Sequence, residues 1–319
     1  MANLPFIAAI DEGIHQEMAR DSNVLYFGQN LATTENHEFV KRYGHDRVRV
    51  TPISETAEIG IGVGAAMAGL RPVIELYMAE FMLVAMDQVV NEAAKFRYMT
   101  GGQVKVPLVL KAGYGFTAGW AGQHTGSLAA LFMGWPGLKC VIPSTAADAK
   151  GLMATAIRDD NPVVFLHHYM LTLEHGDVPD GEHLVPFGKA EVRRAGKDVT
   201  IVATGWMVHR SLAAAEKLKA EGIDAEVIDP RTIAPLDLET ILKSVAKTRH
   251  VVLVDQAPRH ASVSAVIAGD IVEYGFSSLK KPIVQVTGAD TTVPYSEPLE
   301  AFVIPNEERI AAAVRKLLK

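Results

Sequence analysis

Apolar residues recur along this chain at two spacings. Phe6, Ile10, Ile14 and Met18 fall every fourth residue, which predicts an amphipathic helix over 4–19. Short apolar runs of strand length follow at 24–27, 47–50, 73–77, 106–111, 138–142 and 163–167. Stretches of helical spacing separate them at 34–43, 54–69, 82–99 and 146–158. Such alternation predicts a doubly wound α/β sheet. Residues 168–186, rich in Gly, Pro, Asp and His, break the rhythm and read as a linker. A second series then places strands at 199–203, 225–228, 250–254 and 283–286 and helices at 208–221, 236–246, 263–274 and 307–318. The expectation is two doubly wound α/β domains, 1–185 and 186–319.

One stretch, Thr51-Pro52-Ile53-Ser54-Glu55-Thr56-Ala57-Glu58, organises the first half. Pro52 stops the preceding strand because it has no N–H to give a ladder. Ser54 or Thr56 is expected to cap the helix that follows. Gly60, Gly64 and Ala68 lie on one four-residue row of that helix, a bare face that another backbone can approach closely. Glu55 therefore sits where a strand hands over to a helix, in the crevice where open α/β sheets bind ligands. A carboxylate there is either a helix-dipole partner or a working acid–base. The run Gly60-Ile61-Gly62-Val63-Gly64-Ala65 matches the dinucleotide fingerprint in letters, but those glycines must form the strand-to-helix turn. Here they lie inside the helix, so close helix packing is the better reading.

Composition narrows the classes. The chain has 319 residues, 49% apolar and 21% charged, with a net charge of −6, which fits a globular protein and argues against a nucleic-acid surface. The lone cysteine, Cys140, lies in the apolar run 138–142 and reads as a buried strand residue. The N-terminus has no basic segment leading into an apolar core, and no apolar run is long enough to span a membrane, so a cytoplasmic location is expected. His124, in a Gly-rich loop after a strand, can exchange a proton near neutral pH or simply be satisfied in its loop. His167, His168, His175 and His183 cluster around the linker and read as solvated. Tyr77 and Phe81 read as core, and Asp87, Asn91 and Lys95 as a solvated helix row. Asp159-Asp160-Asn161-Pro162 reads as a turn whose carbonyls can face a cation.

Together these motifs resemble one family, the β subunits of thiamine-diphosphate-dependent 2-oxo acid dehydrogenases. The matching segments are 51–55, 65–73, 86–91 with 93–95, 98–102, Gln123-His124, 136–139, 148–152, 157–162 and 229–232. The segments 257–262 and 293–296 lean towards acetoin dehydrogenases. The resemblance implies a pyrimidine-binding domain followed by a transketolase C-terminal-like domain. It implies a heterotetramer with an α subunit, inactive without it, whose site lies between the two kinds of chain. The glutamate matching Glu55 would bond ring nitrogen N1′ of the cofactor's aminopyrimidine and share a proton with it, which requires shielding from water. The histidine matching His124 would handle substrate or acyl transfer. Phe81, with Tyr77 and Gln29, would line the cofactor.

Magnesium and the diphosphate would be held mainly by the partner, since the Gly-Asp-Gly motif is missing from this sequence. Carbonyls near Ile157, Asp159 and Asn161 would hold potassium, as in some relatives. The expected reaction is cleavage of the bond next to the carbonyl of acetoin or a related 2-oxo compound, with transfer of the acyl fragment to a lipoyl-bearing acyltransferase. Pyruvate or another 2-oxo acid, a ketose as in a split transketolase, and a non-catalytic stabilising role are the alternatives. Gly28-Gln29-Asn30 departs from the family's usual Gly-Glu-Asp and removes two charges near the cofactor edge.

Overall fold

A computed structural model describes residues 1–29, 38–116 and 119–319. The chain divides into two compact units: residues 1–114 with 132–187, and residues 115–131 with 188–319. Each is described by itself.

The first unit opens with β1 (Ala2–Pro5) and α1 (Phe6–Arg20), which buries Phe6, Ile10, Ile14 and Met18 as their spacing predicts. Then come β2 (Val24–Gly28), α2 (Glu38–Tyr43), β3 (Val48–Val50), α3 (Glu55–Met67) and β4 (Arg71–Met78). The expected start of a helix near Thr34 lies outside the described residues. After a 3₁₀ segment (Ala79–Ala85) and a π-helical one (Asp87–Ala93) follow α4 (Ala94–Met99) and β5 (Val109–Tyr114). The short α5 (Ala129–Met133) leads to β6 (Lys139–Val141), α6 (Ala146–Arg158), β7 (Val163–His168) and β8 (His175–Val178). Parallel strands run in the order β6-β7-β5-β4-β2-β3, with α1 packed on α6. Cys140 is fully buried on β6, and burial pushes its thiol well above the ordinary range.

Three expectations need correction here. The predicted helix 82–99 is not a single α-helix but a 3₁₀, π and α succession. Val89 and Val90, and again Ala93 and Ala94, are buried as neighbours, and a widened turn lets adjacent residues share one face. The presumed linker contains β8, which pairs antiparallel with β1. His167 and His168 are buried at the end of β7 rather than solvated, and His168 Nδ1 accepts from Met170 N at 3.1 Å.

One face of this sheet holds a buried ionic cluster. Lys111 on β5 pairs with Glu75 on β4, and Tyr26 donates to the same Glu75 oxygen at 2.8 Å. Asp11 on α1 stands near both. Burial above all raises its carboxyl to about 6, with Lys111 acting in the opposite direction. The folded state thus holds the Asp11 proton more tightly than the unfolded chain does. Its contribution to stability is present at low pH and is lost as pH rises from about 4 to about 6. Asp11→Asn is expected to abolish that decline, which urea midpoints across this range measure.

The second unit contains β9 (Glu191–Arg194), β10 (Val199–Ala203), α7 (Trp206–Lys219), β11 (Ala225–Asp229), β12 (Thr232–Ala234) and α8 (Leu238–Thr248). It continues with β13 (Val251–Pro258), α9 (Val263–Gly275), β14 (Val284–Gly288), α10 (Glu297–Val303) and α11 (Glu307–Leu318). Its sheet runs β14-β13-β10-β11-β9, parallel except for the edge strand β9, which the sequence reading did not include. Ile201, Val227, Val252, Ile310 and Val314 lie in its core.

Candidate active site

The strand order of the first unit reverses beside β2. The chain passes from β2 outward to β3, then returns to place β4 on the other side of β2. Such a switch point leaves a crevice outside the carboxyl ends of the strands. Gln29 follows β2, Glu55 follows β3, and Tyr77 and Phe81 mark the end of β4 and the turn beyond it. Topology thus brings four of the predicted residues to one edge of one sheet.

Glu55 is the first residue of α3 and is buried, 9% exposed. Gln29 Nε2 donates to Glu55 Oε1 at 3.3 Å. The expected cap is not made: Ser54 occupies the cap position without a side-chain bond, and the Thr56 hydroxyl donates to Val84 O at 3.0 Å. The helix's first N–H groups are therefore left without a side-chain cap, and their partial positive charge favours an acidic group at this end. Tyr77 is 39% exposed and its carbonyl accepts from Tyr169 Oη at 3.1 Å; Phe81 is half-buried. Neither is the closed core residue that local pattern suggested.

The sequence reading passed over Glu58, one turn along α3. It is 2% exposed, and Thr51 Oγ1 donates to its Oε1 at 2.6 Å, while its Oε2 is buried without a partner. Burial above all pushes its carboxyl above the ordinary range, against the bonds from Thr51 and the Ser54 backbone N–H, with the neighbouring Glu55 adding a smaller push in the same direction as burial. The available signal was its i,i+3 spacing from Glu55 on a helix whose inner face carries Ile59 and Gly62.

The Gly60, Gly64 and Ala68 row makes no close backbone approach among the described residues: a Cβ at Gly60 would meet only Gln88 Cγ at 3.6 Å, and nothing lies within 4 Å of one placed at Gly64. The close approach is made by Gly62, where a Cβ would stand 2.4 Å from Ile74 Cδ1.

His124 lies in the segment 115–131, which packs with the second unit, so the two groups of site residues are described apart. Its Nδ1 lies 3.1 Å from Trp120 O. Gly115 N donates to Gly126 O at 3.1 Å and closes the loop, and Ala121 within it holds a φ of 60°. A non-glycine residue in that conformation is uncommon and is held by its surroundings.

Two of the carbonyls suggested for potassium, those of Ile157 and Asp159, already face a side-chain cation. The Ile157 and Asp159 carbonyls both accept from Arg71 Nη1, at 3.0 and 3.1 Å. The Asp159 carboxylate bonds Lys139 and, at 2.8 Å, Asn161 N and Nδ2. Side-chain cations already supply the positive charge these oxygens face. No cluster of His, Cys, Asp and Glu that could hold a metal occurs among the described residues. No helix among them is long and apolar enough to cross a membrane.

Comparison with known proteins agrees with this architecture. The transketolase pyrimidine-binding domain model matches residues 3–172, and the transketolase C-terminal domain model matches 188–310. The chain is 44% identical to the acetoin:2,6-dichlorophenolindophenol oxidoreductase β subunit of Cupriavidus necator, over 98% of this chain and 96% of that one. It is 38% identical to the 2-oxoisovalerate dehydrogenase β subunit of Bacillus subtilis, over 99% of both. It is 40% identical to the pyruvate dehydrogenase E1 β subunit of Rhizobium meliloti, over 99% of this chain and 70% of that one. A solved structure described as a split-gene transketolase, inactive β4 tetramer, shares the fold with a TM-score of 0.83 at 23% identity, over 99% of both chains. The chain belongs to the family of β subunits of thiamine-diphosphate-dependent 2-oxo acid dehydrogenases.

Proposed function

We propose that this chain supplies the aminopyrimidine-binding half of a thiamine-diphosphate site completed by an α subunit in a heterotetramer. The observation that carries the reading is Glu55: a carboxyl shielded from water at an uncapped helix start, beside a topological switch point. Its burial and the open Tyr77–Phe81 edge fit an aromatic ring with a basic nitrogen. When bound, the cofactor supplies a thiazolium carbon able to attack a carbonyl and to hold the electron pair left when the adjacent bond breaks. Glu55 holds a proton at the ring nitrogen, Gln29 Nε2 orients the Glu55 carboxyl, and Tyr77 and Phe81 flank the ring. His124 attends the substrate and the departing acyl group. Magnesium and the diphosphate belong to the partner's half.

The substrate class is a small carbonyl compound, acetoin or a 2-oxo acid, with the acyl fragment passed to a lipoyl-bearing acyltransferase in the cytoplasm. Relatives named for acetoin, pyruvate and 2-oxoisovalerate span that range. The test is to co-purify the chain with its α subunit. Acetoin, pyruvate, a branched 2-oxo acid and a ketose phosphate are then assayed with dichlorophenolindophenol as electron acceptor. Turnover of acetoin or a 2-oxo acid that needs thiamine diphosphate and both chains is expected. Turnover unchanged after the cofactor is stripped would overturn the proposal, and turnover of the ketose phosphate alone would move it to a transketolase.

A further inference from the structure

Two carboxyls, Glu55 and Glu58, lie one turn apart on the same helix, both buried. Side chains three residues apart on a helix are neighbours. Among the described residues no Lys, Arg or His forms an ion pair with either; Gln29 Nε2 donates to Glu55, and Thr51 Oγ1 and the Ser54 backbone N–H donate to Glu58. The elements packed most extensively on α3 are β4 and the segments 79–85 and 87–93. Their ionisable side chains are Arg71, Glu75, Tyr77, Glu80, Asp87 and Glu92. Arg71 is committed to the 157–160 turn and Glu75 to Lys111. Among the described residues of these elements no cation is therefore left to neutralise a negative charge on Glu58, and a buried carboxylate without one favours its neutral form. Glu58 is the more deeply buried of the two, and its Oε2 has no donor. A carboxyl oxygen without a donor is the natural place for a proton.

We propose that Glu58 is a positioning residue for Glu55: a neutral carboxylic acid, protonated on Oε2, that adds no charge of its own beside Glu55 at the start of α3. The inference rests on the reading of Glu55 given above and deepens it. Burial and the nearness of Glu55 both favour the protonated form, in line with the raised carboxyl of Glu58. Ionisation of Glu58 at alkaline pH places a negative charge beside the group that has to share a proton with the ligand, and the site then works less well.

The first test uses the full chain without cofactor. Infrared difference spectra are recorded from about pH 5 to about pH 9 for the wild type and for Glu58→Gln, which keeps an acceptor for Thr51. A protonated-carboxyl band that is present at neutral pH, disappears on alkaline titration and is missing from Glu58→Gln supports the assignment. Identical band intensity in the two proteins overturns it. The second test uses the enzyme reconstituted with its α subunit. Glu58→Gln cannot ionise, so the alkaline limb of kcat moves to higher pH by about one unit while KM changes little. A kcat profile superimposable on the wild type overturns the positioning role. If Glu55→Gln fails to impair turnover, it is the assignment of Glu55 that falls, and the infrared result on Glu58 still stands or fails by itself.

Discussion

Glu55→Gln is expected to lower kcat of the reconstituted enzyme by about 10²–10⁴-fold, roughly 3–5 kcal/mol, with little change in thermal midpoint. Gln keeps the volume and one acceptor oxygen, so the Gln29 bond and the burial of the first turn of α3 persist. What is lost is a group that can hold and hand over a proton. The outcome is read from kcat and from cofactor affinity measured in the same preparation, because a general acid–base role predicts a loss concentrated in kcat. Activity within about twofold of the wild type would leave the chain as a stabilising partner, and the reading of the crevice would fail.

The largest expected effect on stability lies in the same sheet. Lys111→Met removes the cation from the buried cluster and strands Glu75, 4% exposed, with Tyr26 and the nearby Asp11. Removing one partner of a buried pair costs about 3–5 kcal/mol because the remaining charge is uncompensated. The double variant Lys111→Met with Glu75→Gln is expected to recover much of that loss, since no unpaired charge is left. Urea denaturation followed by circular dichroism gives both numbers. A Lys111→Met cost below about 1 kcal/mol would mean that water reaches the cluster and the pair behaves as a surface one.

Both predictions concern residues whose placement was partly legible in the sequence. Glu55 was locatable because Pro52 ends β3 and helical spacing begins directly afterwards, which fixes the carboxyl at a strand-to-helix transition. The strand–helix alternation was legible for the same reason: buried parallel strands are continuous apolar runs, and little else produces them. Elements that bury few side chains escaped. β1, β8 and β9 are short antiparallel edge pieces with polar residues, and their pairing depends on partners far away in sequence. His167 and His168 looked solvated because the histidine-rich stretch after them is polar, yet they complete β7. In the 82–99 segment, period counting assumes one helical pitch, and a π-turn changes the pitch without changing composition. Glu58 went unnoticed because an acidic residue in a first turn is ordinarily a dipole partner in solvent. Only burial without a cation distinguishes it.

The missing side chain at Gly62 has a bearing on chemistry that takes place a turn or two away. Because α3 lies so near Ile74 at that point, the seating depth of the whole helix is set by the absence of one methyl group. Glu55 and Glu58 ride on the same rigid rod, so this glycine acts as a ruler for how far both acids protrude past the strand ends. A residue away from the proposed ligand thereby sets how far the two carboxyls reach.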